Sequence, residues 1–233
     1  DASYIAESLL SEEELLVAVR QHFSSPTQIA QDHWLRVLLA RKLTRNQYFK
    51  DAERYIPAEL HDEFARYVQL YRSAHSKSKS RQQRARLLVE LSELHSQYGR
   101  ELFWYSDGAR PYSRRVAVGL ADAAEKKWID EPFPVMSRDE RSRFKSGYRR
   151  VSKSAVYSYE AANIAYEAAR LLPKNDPRAA VILWSAGRTL MYTDPEFADK
   201  FYQALVQHCG GTELGKLADE KRWFPAGEYK LVW

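Results

Sequence analysis

Hydrophobic residues recur along most of this chain at the three- and four-residue spacing of a helix face. One such stripe consists of Leu87, Leu88, Leu91, Leu94 and Tyr98. No segment shows the sustained alternation of apolar and polar positions that is typical of a strand. The pattern therefore predicts an all-α protein, with helices over residues 6–23, 27–42, 45–55, 59–74, 80–102, 113–130, 138–150, 153–172, 177–192, 195–208 and 212–222.

Helix start signals support this interpretation. Ser11 and Glu14 have the spacing of a capping box, in which each side chain binds the backbone N–H of the other residue. The sequence repeats that spacing at Thr44…Gln47, Ser80…Gln83 and Ser137…Glu140, and it offers further capping residues in Asp176-Pro177, Asp194-Pro195 and Thr212. Because the predicted connections are short, consecutive helices are expected to pack as antiparallel pairs.

One segment interrupts the helical pattern. Residues 103–137 contain Gly108, Pro111, Pro132 and Pro134, which makes this segment a structured insertion or a joint. It separates an N-terminal half (1–102) from a C-terminal half (138–233), although both halves could belong to one continuous domain. The tail after Trp223 lacks a helical pattern and is expected to pack as an extended segment.

The C-terminal half resembles tetratricopeptide repeats. The series Ala162-x-x-x-Tyr166-x-x-Ala169, followed by Pro173, is similar to the second helix of such a repeat. A comparable series, Ala198-x-x-x-Tyr202-x-x-Leu205, follows 36 residues later, and the repeat period is about 34. Between them, Leu183-Trp184-Ser185-Ala186-Gly187 resembles the small-residue crossing point of a first helix. Residues 27–102 show a weaker resemblance, and 103–137 fit no repeat.

This resemblance implies stacked antiparallel helix pairs in a right-handed solenoid. It also implies that a concave face binds a peptide or a protein partner. Aromatic and arginine side chains are common anchors in such interfaces. The candidate partner-binding residues are Tyr148, Arg149, Tyr157 and Tyr159, which lie just before or at the start of the clearest repeat.

The distribution of charge suggests a different class of partner. The net charge is +5, but segments 72–86 and 138–153 together carry +11, so the rest of the chain carries −6. Aromatic residues among the cations of 138–153 would suit stacking on bases, and a nucleic acid is therefore an alternative partner. The basic positions concerned are Arg81, Arg84, Arg86, Arg141, Lys145, Arg150 and Lys153.

Catalytic and metal-binding signatures are absent from the sequence. No phosphate-binding glycine loop, metalloprotease helix or nucleophile elbow occurs. The six histidines are dispersed, and Cys209 is the only cysteine, so no catalytic residue, metal site or cofactor is predicted. A non-catalytic binding scaffold is the favoured interpretation, and a helical accessory domain of a larger enzyme is the other alternative.

The sequence says little about location. No apolar run approaches the roughly 18–20 residues that span a bilayer, so a soluble protein without a transmembrane segment is expected. The chain starts at Asp1 without an initiator methionine, which suits a trimmed or a processed chain. Both a cytoplasmic and a periplasmic location agree with the single cysteine.

Overall fold

The computed structural model describes residues 10–22, 34–103, 137–139, 142 and 157–233. The regular structure of these residues is helical, without a strand, which confirms the all-α class. A 3₁₀ turn occupies Ala58–Leu60. The described helices, numbered in chain order, are α1 (Glu12–His22), α2 (Trp34–Arg45), α3 (Phe49–Ala52), α4 (His61–Ala74), α5 (Arg81–Leu102), α6 (Tyr157–Leu171), α7 (Pro177–Leu190), α8 (Pro195–Cys209) and α9 (Glu213–Lys221).

The chain forms two compact units. Unit 1 comprises Asp1–Ala65 and Tyr98–Tyr157, and unit 2 comprises Arg66–Gln97 and Ser158–Trp233. The division between them falls inside α4 and α5 rather than at a loop. In unit 1, α2 packs against α1 and α3, whereas in unit 2 α7, α8 and α9 pack against one another.

Local capping determines where most described helices begin. Ser11 and Glu14 form the predicted capping box, with N–H to side-chain oxygen distances of 2.7 and 3.1 Å. Ser80 and Gln83 do the same at 3.0 and 3.2 Å. The predicted caps at Asp176, Asp194 and Thr212 also accept backbone N–H groups. These predictions are confirmed because capping depends only on residues within one turn.

Other predicted boundaries differ from the structure. Thr44 was expected to start a helix, but its hydroxyl donates to the Ala40 carbonyl at 2.7 Å inside α2. Helix α2 therefore continues to Arg45, and a left-handed turn at Gln47 separates it from α3. The predicted helix over 45–55 shrinks to a single turn. The predicted helix 113–130 lies outside the described residues, as do most of 138–150 and the Glu140 part of its capping box.

Unit 1 is held together by cationic side chains that bind backbone carbonyls. Arg36 is 8% exposed and donates from Nε to the Tyr55 carbonyl at 3.1 Å and from Nη2 to the Ile56 carbonyl at 3.4 Å. Arg41 donates to the carbonyl of Glu101 at 2.8 Å, and Arg45 donates to that of Phe103 at 3.0 Å. These arginines of α2 satisfy carbonyls at the ends of α3 and α5 that have no helical partner.

Unit 2 contains a close-packed aromatic and alanine core. Phe201 of α8 is completely buried, and the ring of Tyr166 on α6 meets it edge to face at 5.7 Å. Ala168 and Ala198 are also fully buried, which lets neighbouring helices approach closely. The tetratricopeptide-like positions therefore lie in the packed faces of α6 and α8.

Asp194 links two elements of unit 2, and its removal should be costly. One carboxylate oxygen accepts the N–H of Phe197 at 3.0 Å, and the other accepts the hydroxyl of Tyr159 at 3.1 Å. We expect Asp194→Ala to lower the free energy of unfolding by about 2 kcal/mol, since it removes a cap and a buried acceptor. Tyr159→Phe should cost about 1 kcal/mol, because it removes only the hydroxyl. If urea denaturation gave equal losses of unfolding free energy for the two variants, the cap would make no contribution.

None of the described helices combines the length and the apolar character that crossing a bilayer requires.

Candidate peptide-binding groove

A groove of about 240 Å³ lies in unit 2 between α5, α6 and α7. Its floor is apolar and buried, whereas its rim carries exposed polar side chains. The volume falls below the roughly 300–1,000 Å³ of pockets for drug-sized ligands, so the groove suits one or two side chains. The floor includes Val89, Ala161, Ala162, Ala165, Ile182 and Ala186, and the rim includes Glu93, Ser96, Ser185 and Thr189.

Small side chains create this groove. The hydroxyl of Ser92 on α5 donates to the Ala161 carbonyl on α6 at 2.8 Å. This bond joins the two helices beside the groove. The alanines of α6 leave open space where larger side chains would fill the interface, while the hydroxyl groups of the rim offer both donors and acceptors.

The C-terminal tail closes one side of the groove. Helix α9 ends at Arg222, which has a left-handed backbone with φ of 56°. The chain then continues without regular structure, and Tyr229 and Leu231 line the groove. The tail therefore contains no helix, as the lack of a helical pattern indicated, and it packs along α7.

Two side chains of α7 bind the tail through its backbone. The indole Nε1 of Trp184 donates to the Pro225 carbonyl at 3.0 Å, and Nη1 of Arg188 donates to the Gly227 carbonyl at 2.8 Å. The Tyr229 ring meets the Trp184 ring edge to face at 4.8 Å. Helix α7 therefore holds the tail through two backbone carbonyls and one aromatic side chain.

Gly187 makes room for the first anchor of the tail. The Phe224 side chain is 7% exposed and rests directly on Gly187 of α7, so that a Cβ at this position would overlap the ring. The sequence pattern had assigned Gly187 to a crossing point between helices. The structure corrects this assignment, because the group that approaches Gly187 belongs to the tail.

The predicted partner-binding residues occupy different environments. Tyr159 is 4% exposed, and its ring packs edge to face on Phe197 at 4.8 Å. Its side chain therefore belongs to the core of unit 2. Tyr157 is half-buried in unit 1, where its side chain covers Gly99. Tyr148 and Arg149 lie outside the described residues.

The described members of the basic patch have individual local partners. Arg84 donates to the Ala74 carbonyl at 2.8 Å and closes the turn between α4 and α5. Arg86 forms a 3.4 Å ion pair with Glu90, and Arg81 donates to the Arg170 carbonyl at 3.2 Å. The other predicted basic positions, Arg141, Lys145, Arg150 and Lys153, lie outside the described residues.

Burial is the main cause of the pKa shifts of Cys209, Tyr67 and His95 in the core of unit 2. Cys209 is fully buried, and burial raises the pKa of its thiol to about 11. Burial also raises the pKa of Tyr67, whose ring lies 6.0 Å from that of His95. In the part of the chain that the structure describes, no three His, Cys, Asp or Glu side chains converge to hold a metal ion.

His95 should make the protein sensitive to mild acid. It is 4% exposed, and burial lowers its pKa from 6.5 to about 4. Below about pH 6.5, His95 is protonated in the unfolded chain but stays neutral in the folded protein. The free energy of unfolding therefore falls as the pH drops towards 4. Between pH 6.5 and about 5, this loss is expected to reach about 2 kcal/mol.

The variant His95→Phe retains a ring but cannot bind a proton. In this variant, the loss of unfolding free energy between pH 6.5 and about 5 should disappear. The exposed His75 serves as the matched control, since His75→Phe also replaces a histidine ring but leaves His95, and the loss that His95 causes, in place. Urea denaturation at several pH values measures the free energy of unfolding of both variants. If the unfolding free energy of His95→Phe changed with pH as steeply as that of the unsubstituted protein, His95 would not be the cause of the pH dependence.

The chain was also compared with known proteins. No protein-family model, curated protein or solved structure matches it. Its function has to follow from the geometry of its own residues.

Proposed function

We propose that this protein is a non-catalytic helical binding module that holds an extended segment of a partner protein along α7. The observation that carries the proposal is the mode of attachment of its own tail. Trp184 and Arg188 bind carbonyls of the tail backbone, at Pro225 and Gly227. Backbone carbonyls are present in every peptide, so the same donors suit a segment of different sequence.

The lining of the groove supports a peptide as the occupant. Its buried alanine floor accepts apolar side chains, and its hydroxyl rim can bind the polar groups of a peptide backbone. The space beside Tyr229 and Leu231 is contiguous with the tail. A partner segment would extend or replace the tail at this place.

A tetratricopeptide-like stack is the architecture that we propose for these helices. Helices α7 and α8 are joined by a short loop and pack on each other, and α8 packs on α9. The edge-to-face contact of Tyr166 and Phe201 joins α6 to α8. This pairing supports a stack of antiparallel helices whose grooves serve as binding surfaces.

A peptide with the sequence of residues 223–233 provides a defined probe. In the unsubstituted protein, the attached tail competes at an effective concentration in the millimolar range. The double variant Phe224→Ala and Tyr229→Ala weakens that competitor in the full chain. We expect the fluorescently labelled peptide to bind this variant with a Kd on the order of 10 μM. Its binding to the unsubstituted protein should be at least about tenfold weaker.

Two controls make the test specific. A scrambled peptide of the same composition keeps the backbone carbonyls but loses the spacing between the Phe224 and Tyr229 side chains, so it should bind more weakly. Adding Trp184→Phe to the double variant removes the indole donor and should weaken binding about fivefold. No binding of the tail peptide to the double variant, or unchanged binding after Trp184→Phe, would refute recognition of an extended segment by α7.

A further inference from the structure

A second cavity, of about 320 Å³, lies in unit 2 between α6, α7 and α8. Leu183, Ala169 and Ala204 supply its apolar part, and the ring of Tyr166 forms one wall. Its polar lining consists of Arg170, Lys174, Gln207 and His208. The groove that holds the tail contains Glu93 and no cation in its lining, so the two cavities differ in charge.

The cations of this cavity lack carboxylate partners. Arg170 and Lys174 are exposed, and neither forms an ion pair with another residue in the described ranges. Lys200 lies beside Tyr166 but outside the lining of the cavity, with Nζ 4.3 Å from the ring centroid and 3.1 Å from the Asn163 amide oxygen. Its pKa is lowered mainly by burial and also by repulsion from Arg170, whereas Glu160 opposes this effect.

Helix dipoles explain only part of this arrangement. Arg170 and His208 lie in the last turns of α6 and α8, where positive charge is favourable. Lys174 lies in the following loop, and Lys200 lies in the first half of α8, where the dipole does not favour a cation. Arg170 and Lys174 nevertheless border one cavity, and a bound anion would relieve the repulsion between Arg170 and the nearby Lys200.

We propose that this cavity binds a small organic anion, whose carboxylate or phosphate group meets Arg170 and Lys174 while a short apolar portion packs on Tyr166 and Leu183. The guanidinium group suits planar bidentate contact with either oxyanion, and the ammonium group adds a flexible donor. The cavity volume is sufficient for a compact ligand of this kind. This proposal is independent of the peptide groove.

Isothermal titration of the full chain with three compounds of similar shape tests the proposal. Phenyl phosphate and benzoate present the two oxyanions, and benzyl alcohol presents neither. We expect at least one anion to bind with a Kd on the order of 1 mM or below, and benzyl alcohol to bind much more weakly. Binding of phenyl phosphate alone would identify a phosphate ligand, and binding of benzoate alone a carboxylate ligand.

Variants then locate the site. Arg170→Gln and Lys174→Gln should each weaken binding of the anion about tenfold, since each removes a charged hydrogen-bond donor. Both positions are exposed, so both variants should fold, as their melting curves will show. Lys216→Gln removes an equally exposed charge from α9 and should leave the affinity unchanged. Absence of binding by both anions, equal binding of benzyl alcohol, or unchanged affinity in both site variants would overturn the proposal.

Discussion

Replacing Arg36 with alanine is expected to lower the free energy of unfolding of unit 1 by about 3 kcal/mol. The guanidinium group is 8% exposed and donates to the carbonyls of Tyr55 and Ile56. An alanine would leave these carbonyls without that donor and would open a space where the long side chain had packed. Both effects destabilise the same region at the end of α3.

The measurement has to distinguish the two units, because a single unfolding transition need not describe both. Hydrogen exchange of the α2 and α3 amides reports on unit 1, and urea denaturation followed by circular dichroism reports on the whole chain. Arg36→Lys keeps a charge with fewer fixed donors and should lie between alanine and arginine. Arg20→Ala changes an exposed arginine of α1 and should alter stability by less than about 0.5 kcal/mol. A loss of that small size for Arg36→Ala would contradict its structural role.

Arg36 also illustrates a limit of sequence patterns. Its position in α2 follows from helical periodicity, but a buried arginine cannot be distinguished there from a solvated one. Its acceptors lie 19 and 20 residues further along the chain, and only the tertiary fold brings them into contact. Thr44 was assigned wrongly for a related reason, since a threonine can cap the following helix or bond to the preceding turn. The sequence motif is the same whether the threonine caps the following helix or bonds to the preceding turn.

The tail and the two cavities show the same contrast between local structure, which a sequence pattern predicts, and tertiary contacts, which it does not. The absence of a helical pattern after Trp223 correctly predicts a segment without a helix. Its docking place depends on Gly187 and Trp184, which lie about 40 residues away from it along the chain. The groove itself is lined by alanine, serine and threonine, whose side chains carry no pattern that identifies a site. For this reason, none of the candidate residues chosen from aromatic and basic clusters lines the groove.

Replacing Gly187 with alanine is expected to release the tail from α7. The added methyl group would overlap the Phe224 ring, and losing the burial of that ring costs about 2–3 kcal/mol. Alanine favours a helix over glycine by about 1 kcal/mol, so α7 itself should not be weakened. Hydrogen exchange at residues 225–229 should therefore accelerate while the α7 amides remain protected. The labelled tail peptide contains the same phenylalanine, so it should bind this variant more weakly than it binds the double variant Phe224→Ala and Tyr229→Ala.

A double-mutant cycle separates this steric effect from other consequences of the substitution. In a Phe224→Ala background the ring is absent, so Gly187→Ala should be neutral or should stabilise the protein through helix propensity alone. The change in sign between the two backgrounds would identify the contact between Gly187 and Phe224 as the cause. If Gly187→Ala destabilises both backgrounds equally, or leaves exchange in the tail unchanged, then Gly187 does not hold the tail in place. In that event, the backbone bonds from Trp184 and Arg188 would be its principal attachment.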